Sequence, residues 1–351
     1  MKIVVVGDII VSCELLAEAV KNLNIEESVV VKEVYWSAVD RKDFQKKALH
    51  IETEGPTAEQ PPVELYTEIE DADYLLVHFC PVPADLIKKG KKLKLIGTCR
   101  GGMEHIDVEA ATNENIPVIH VIRNAESTSD FAIGLMFAET RNIARAHAAI
   151  KNGNWRKEYV NSGYTTTFKE MVLGVVGLGH IGKLVAEKAL GIGMTVIAHD
   201  PYVTQEAIDE KGLKVKMVDK EALFKTADII SLHLRITPET ENSINKKLIG
   251  LMKQTAYLIN TSRARVLEKE ALVEALQNRK IGGAALDVFW NEPLPEDDVL
   301  LTLDNITLTP HNAGNVVDEL PKSPRLLIKT INQYLADGKS DMVVNQYRIK
   351  K

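Results

Sequence analysis

An α/β protein with two domains, each built on a doubly wound parallel sheet, is what this 351-residue chain predicts. Three observations carry that expectation. Strand-like apolar runs alternate with helix-length segments almost throughout, the signature of parallel layering. The length suits about two domains, and 45% hydrophobic residues suffice for two cores. A glycine-rich turn, GVVGLGHIG at 174–182, lies midway along the chain, so a complete α/β unit precedes it.

The opening MKIVVVGDII has a short apolar core broken by Gly7 and Asp8, which reads as a first strand and not as a signal peptide. SVVVKEVYW, DADYLLVHF, KLKLIGTC and IPVIHVI continue the first strand series, with the polar ETEGPTAEQPP as a loop inside it. One long helix is expected from about Glu126 to Lys151, ended by NGNW. The second series runs through MVLGVVG, MTVIAHD, LKVKMV, ADIISLHL, TAYLINTS, GGAALDVF and NITLTPH. SPRLLIKTINQYLADGK predicts an amphipathic helix with Ser323 as N-cap and Pro324 at the first helical position. A single helix is too little for a domain, so it is expected to pack back on the first unit. The chain has no internal repeat and no low-complexity tract.

A formal charge of −6, from 43 Lys and Arg against 49 Asp and Glu, argues against a nucleic-acid surface. The run KKGKKLK at 88–94 reads as a solvated loop. No stretch reaches the roughly 18 apolar residues of a membrane span. Cys13, Cys80 and Cys99 have no metal-type spacing and make no even set for bridges, so a reducing cytoplasm is the expected address and no metal is expected. The N-x-S/T triplets at Asn260 and Asn305 lie in or beside predicted strands and are read as chance.

The central turn has the parts a dinucleotide site needs. Gly177, Gly179 and Gly182 fit G-x-G-x-x-G between an apolar strand and a helix with apolar residues at Ile181, Leu184, Val185 and Leu190. Asp200 ends the next apolar run, where an acid accepts hydrogen bonds from the adenosine ribose. Pro201, Tyr202 and Val203 include no cation to pair a 2′-phosphate, so NAD is expected over NADP.

In an open parallel sheet, ligands bind beyond the carboxyl ends of the strands. Arg263 follows TAYLINTS, Glu292 follows GGAALDVF, and His311 follows NITLTP. Together they suit hydride transfer to a 2-oxo acid: an imidazolium protonates the carbonyl oxygen, a carboxylate keeps it charged, and a guanidinium matches a carboxylate. Taken singly, each has a bland reading as an ion pair, a loop charge or a buried polar group. Their convergence beside the glycine turn favours the catalytic one.

NAESTSDFAIGLMFAETRNI, GVVGLGHIG, HLRITPETENSI, LINTSRARVLEKEAL, GGAALDVFWNEPL and TPHNAG, in that order, resemble the D-isomer-specific 2-hydroxyacid dehydrogenase family, which includes D-3-phosphoglycerate dehydrogenase. The resemblance runs from about residue 93 to 345. It implies a Rossmann NAD-binding domain over 120–314 and a flavodoxin-like substrate domain from 1–119 plus 315–351. It further implies Arg263 as the substrate-binding arginine, Glu292 as the carboxylate partner and His311 as the acid/base. Asp287 would orient the nicotinamide carboxamide, and Gly177, Gly179, His180, Ile181 and Gly182 would hold the cofactor with Asp200. In TCRGGMEHID, Gly101 and Gly102 match the loop whose amides hold the substrate carboxylate.

Arg100 and His105 depart from the family's usual glycine and asparagine; Arg100 is either a site for a second anionic group or a solvent-facing charge. His78 is expected to have no catalytic role, and Trp290 either walls the pocket or packs. The resemblance implies an NAD-dependent oxidoreductase acting on a D-2-hydroxy or 2-oxo acid, phosphorylated or sugar-derived acids included. The implied assembly is a homodimer joined through the long helix, with no nucleic-acid or membrane partner. The alternative from another class is a non-catalytic NAD(H)-binding regulator or corepressor-like scaffold.

Overall fold

The structure, a computed structural model, describes residues 1–36 and 38–349. It divides into two compact units, Met1–Arg123 with Val316–Lys351, and Asn124–Asn315.

The first unit contains β1 (Lys2–Gly7), β2 (Val30–Tyr35), β3 (Tyr74–Val77), β4 (Leu95–Thr98) and β5 (Val118–Ile119), all parallel, in the order β2-β1-β3-β4-β5. This is the flavodoxin-like order, whose switch point lies between β1 and β3. Strands covered on both faces read as unbroken apolar runs, and Ile3 to Val6 have no exposed surface at all. Alternate residues serve opposite layers. Val4 and Val6 pack with Phe44, Ile51, Leu65 and Leu86, whereas Ile3 and Val5 pack with Leu16, Ala19 and Val20.

The C-terminal helix returns to this sheet, burying Leu327, Ile328 and Ile331 beside Ile3 and Val5. It spans Glu319–Asp337, so Ser323 is not its N-cap and Pro324 is interior. Proline cannot donate to the carbonyl four residues back, that of Leu320. Ser323 Oγ donates to that oxygen instead, at 2.7 Å, which is how the helix carries the proline.

The second unit has seven parallel strands: β6 (Val172–Val176), β7 (Thr195–His199), β8 (Val215–Met217), β9 (Ile229–Leu232), β10 (Tyr257–Asn260), β11 (Gly283–Leu286) and β12 (Ile306–Leu308). Their order, β12-β11-β10-β9-β6-β7-β8, reverses between β6 and β9. Chain connectivity therefore opens the crevice of a doubly wound sheet at the carboxyl end of β6.

The long helix expected over 126–151 is two helices, Ala125–Thr140 and Ile143–Lys151. Asn142, at φ 55, makes the break. Asparagine tolerates this left-handed conformation, and tertiary partners hold it there: Asn142 Nδ2 donates to Asn161 Oδ1 at 2.6 Å, and Asn161 Nδ2 donates to the Thr140 carbonyl at 2.9 Å. Beside the break, Arg145 Nη2 binds both oxygens of the buried Glu139 at 2.8 Å. Glu139 also accepts from Thr307 Oγ1 at 2.6 Å, tying the break to β12.

The expected loop ETEGPTAEQPP is shorter than its sequence suggests, because the helix Arg41–Glu54 extends into it. Among the described residues, no helix is long and apolar enough to cross a membrane. Cys13, Cys80 and Cys99 are free and buried.

Candidate active site

The glycine turn begins where β6 ends. Gly177 has φ +91, and a Cβ there would lie 2.6 Å from the His233 carbonyl oxygen, so only glycine fits. A Cβ on Gly182 would strike the Gly177 carbonyl, because the helix His180–Gly191 packs directly on the turn. Gly179 differs: it is the helix N-cap at φ −72, and a Cβ there would meet nothing within 4 Å.

Gly179 therefore leaves room on the ligand side and is not required by packing. The helix N-terminus has no side-chain cap, and its positive dipole end suits an anion such as a pyrophosphate. The turn thus fits a dinucleotide: Gly177 and Gly182 shape it, and Gly179 leaves open space beside it.

Asp200 follows β7. Its Oδ2 accepts the Leu178 backbone N–H at 2.8 Å and its Oδ1 accepts that of Tyr202 at 2.9 Å. The acid braces the turn, and a carboxylate with about four lone-pair sites still has acceptor capacity for a ribose.

Arg263, Glu292 and His311 follow β10, β11 and β12, at the carboxyl edge of the same sheet. The Arg263 turn is shaped by fully buried Asn260. Its Nδ2 donates to the Arg263 carbonyl at 3.0 Å, and its Oδ1 accepts from Ser262 N at 3.0 Å and Ser262 Oγ at 2.8 Å. Burial of Asn260 and Asn305 agrees with reading their N-x-S/T triplets as chance. The Arg263 guanidinium is exposed, with Nη1 donating to Ser262 O at 2.8 Å.

His311 Nδ1 donates to Glu292 Oε2 at 2.7 Å, and Glu292 Oε1 accepts the Phe289 N–H at 2.9 Å. Partial burial pushes the Glu292 carboxyl upward, but the His311 hydrogen bond, the Phe289 N–H and the charges of His311 and Arg263 outweigh it, leaving the group below its ordinary value. It is an anion paired with the imidazole. His311 itself sits at φ +50, a conformation that costs a non-glycine residue about 1–3 kcal/mol and persists only where the surroundings impose it.

Asp287 supplies part of that constraint. It is wholly buried; Oδ1 accepts from Asn312 N at 3.1 Å and Thr309 Oγ1 at 2.6 Å, and Oδ2 accepts from Ala313 N at 2.8 Å. The acid that the resemblance assigns to the nicotinamide therefore clamps the loop bearing His311. Trp290 packs: its Nε1 donates to the Leu267 carbonyl at 3.1 Å. Arg265 pairs with Glu241 on the surface.

Arg100, Gly101 and Gly102 follow β4 in the first unit. Arg100 is not a solvent-facing charge: its side chain is 12% exposed, its Nη2 lies 2.8 Å from Glu52 Oε1, and its guanidinium stacks 3.5 Å from the Phe79 ring centroid. Gly101 O accepts from His120 Nδ1 at 3.0 Å. Glu104 folds over Gly102.

Two buried histidines lie beside these residues. His78 Nδ1 donates to Asp8 Oδ2 at 2.7 Å, across the β1/β3 switch point. His105 Nε2 is 2.9 Å from Thr98 Oγ1. Sequence reasoning gave no part in the site to Asp8, Glu52, Asn260 or Thr309. Only the Gly-Asp break at the end of β1 and the Asn-Thr-Ser turn at the end of β10 offered any local signal for the first and third.

Residues 133–313, more than half of the chain, match the family described as "D-isomer specific 2-hydroxyacid dehydrogenase, NAD binding domain". A D-3-phosphoglycerate dehydrogenase of Methanocaldococcus jannaschii is 39% identical over 289 residues, covering 82% of this chain and 54% of that protein. A hydroxypyruvate reductase of Thermotoga maritima is 37% identical over 295 residues, covering 82% of this chain and 90% of that one. The chain thus spans about half the length of the phosphoglycerate dehydrogenases it matches. Among solved structures, D-lactate dehydrogenase from Aquifex aeolicus, complexed with NAD and lactic acid, is 26% identical with a TM-score of 0.60, covering 96% of each chain. The chain belongs to the D-isomer-specific 2-hydroxyacid dehydrogenase family, with its NAD-binding domain at residues 133–313.

Proposed function

We propose that this protein is an NAD-dependent oxidoreductase that interconverts a D-2-hydroxy acid and its 2-oxo acid. The observation that carries the reading is the 2.7 Å contact of His311 Nδ1 with Glu292 Oε2, at the carboxyl edge of the sheet that bears the glycine turn. When bound, the nicotinamide cofactor supplies or accepts the hydride.

The chain's own residues do the rest. His311, with Nδ1 committed to Glu292, presents Nε2 to the substrate oxygen and delivers or removes its proton. Glu292 holds the ring in one orientation through its 2.7 Å contact with Nδ1. Arg263 binds the substrate carboxylate and polarises the carbonyl. Gly177, Gly179, His180, Ile181 and Gly182 hold the pyrophosphate and Asp200 the ribose, while Asp287, buried, acts on the carboxamide side of the cofactor through the loop it clamps. Arg100, Gly101 and Gly102 form the substrate loop of the first unit, which serves as the substrate domain.

The working assembly is a homodimer. Support comes from the helix Ile143–Lys151, which buries none of its residues and leaves Ile143 and Ile150 about half exposed, followed by Trp155 at 77%. Ile143→Asp with Ile150→Asp should shift the protein to monomer in sedimentation equilibrium; an unchanged mass would remove that surface from the interface. Three buried thiols suit a reducing cytoplasm.

The test of the activity is NADH oxidation across a panel of 2-oxo acids, alongside His311→Asn. Turnover falling by about 10²–10⁴-fold in the variant, with NADH affinity kept, is the expected result. Unchanged turnover in His311→Asn would sink the proposed role.

A further inference from the structure

The carboxyl edge of the first sheet brings together more negative than positive charge. Arg100 is engaged by Glu52 at 2.8 Å, with Glu104 Oε2 3.7 Å away. Arg123, half-buried, feels the repulsion of Arg100 and the attraction of Glu319. Asp8 is the partner of His78, and both His78 and His105 are held below their ordinary values, first by burial and also by the nearby arginines. Two arginines therefore face three carboxylates, Glu52, Glu104 and Glu319, while Asp8 is held by His78 and the Ile10 and Val11 N–H groups.

This balance bears on the substrate. A monoanionic 2-oxo acid needs one anion site, which the proposed loop at Gly101 and Gly102 supplies through its backbone. A phosphorylated acid brings a further charge of about −1.5 to −2, and at this edge the guanidinium that would receive it already carries Glu52 on Nη2, although its Nε is buried without a partner. An anion drawn to Arg100 would meet Glu52 and Glu104, which lie 2.8 and 3.7 Å from its Nη2. Like charges at such range disfavour binding, and a site can discriminate through repulsion as well as attraction.

We infer that the substrate of this protein carries no second anionic group, and that Glu52 and Glu104 are specificity-determining residues that exclude phosphorylated and dicarboxylic acids. The inference rests on the proposed oxidoreductase reading and narrows it to short, singly charged 2-oxo acids of the hydroxypyruvate or glyoxylate kind.

The test compares kcat/KM for hydroxypyruvate and 3-phosphohydroxypyruvate in the parent and in the double variant Glu52→Gln/Glu104→Gln. Both side chains are 45% exposed, so the substitutions leave the core intact. The parent should favour hydroxypyruvate by about 100-fold or more, and the variant should cut that ratio by about 10-fold, chiefly through KM for the phosphorylated acid. Equal use of both acids by the parent, or a ratio unmoved in the variant, overturns the inference and leaves the oxidoreductase reading standing.

Binding of D-glycerate and D-3-phosphoglycerate to the NADH complex, measured by calorimetry, gives a readout independent of turnover. Tighter D-glycerate binding supports the inference, and equal or tighter D-3-phosphoglycerate binding overturns it. No binding of either acid, with NADH still bound and no 2-oxo acid turned over, overturns both readings together.

Discussion

The carboxylate of Asp287 accepts the backbone N–H of Ala313 at 2.8 Å, so an acid at the end of one strand fixes the loop after the next. Its other oxygen takes the Asn312 N–H and the Thr309 hydroxyl. Removing the carboxylate leaves these donors unmatched in a dry environment, at about 1–3 kcal/mol each. Asp287→Ala should lower the Tm of the protein and depress kcat through the freed His311 loop, while Asp287→Asn, which keeps one acceptor, should lose less of both. Thermal melts and steady-state kinetics on the two variants check this; a Tm unchanged in Asp287→Ala would contradict the clamp.

The three glycines of the turn do different work and should fail differently. Gly177 and Gly182 have no room for a methyl group, whereas Gly179 has nothing within 4 Å of its added Cβ. Gly179→Ala should fold with an unchanged Tm yet bind NADH at least about 10-fold more weakly, because its methyl group occupies ligand space. Gly177→Ala should lose stability as well as binding. Fluorescence titration with NADH beside thermal melts separates the cases, and full NADH affinity in Gly179→Ala would argue against a pyrophosphate at the helix N-terminus.

His78 and His105 make the first unit sensitive to acid. Burial holds both imidazoles below their ordinary value in the folded state, while in the unfolded chain they protonate near 6.5. Above that pH both states are neutral and the contribution to stability is complete. As pH falls below it, the unfolded chain takes up protons that the folded one refuses, so stability drops by about 1.4 kcal/mol per pH unit for each histidine until the folded-state values are reached. Melts between pH 8 and pH 5 should show Tm falling below about pH 6.5, and His105→Gln should flatten that limb. A limb equally steep in the variant would remove His105 from the account.

Ser323 compensates for Pro324. With its hydroxyl bonded to the Leu320 carbonyl at 2.7 Å, Ser323→Ala leaves that acceptor without its partner and should cost about 1–2 kcal/mol. The double variant Ser323→Ala/Pro324→Ala restores a backbone donor and should recover most of the loss. Chemical denaturation of the single and double variants checks this, and a lack of recovery would show that the hydroxyl serves something other than the proline.

Much of the fold was legible because the information is local. Unbroken apolar runs identify strands buried on both faces, and a glycine triplet between a strand and a helix has one geometry that avoids clashes. The positions of Arg263, Glu292 and His311 at strand ends were legible for the same reason, since each follows directly on an apolar run. The break at Asn142 was not, because a run of helix-forming residues crosses it and its left-handed turn depends on Asn161, far along the chain. Likewise the C-terminal helix begins before its apparent cap, because a serine next to the proline supplies the bond that the backbone lacks.

Arg100 shows the same division at the site. The sequence shows an unexpected cation beside a glycine pair, and from one dimension its charge can be read as free for a ligand. Folding brings Glu52 to its Nη2 from a helix nearly fifty residues earlier and sets Phe79 beneath it, so part of the guanidinium is engaged within the fold itself. By itself the sequence determined the strands, the glycine turn and the chemical types carried to each strand end, since these follow from contacts between near neighbours. The tertiary structure alone decided which of those charges meet, because an ion pair is set by distance in space.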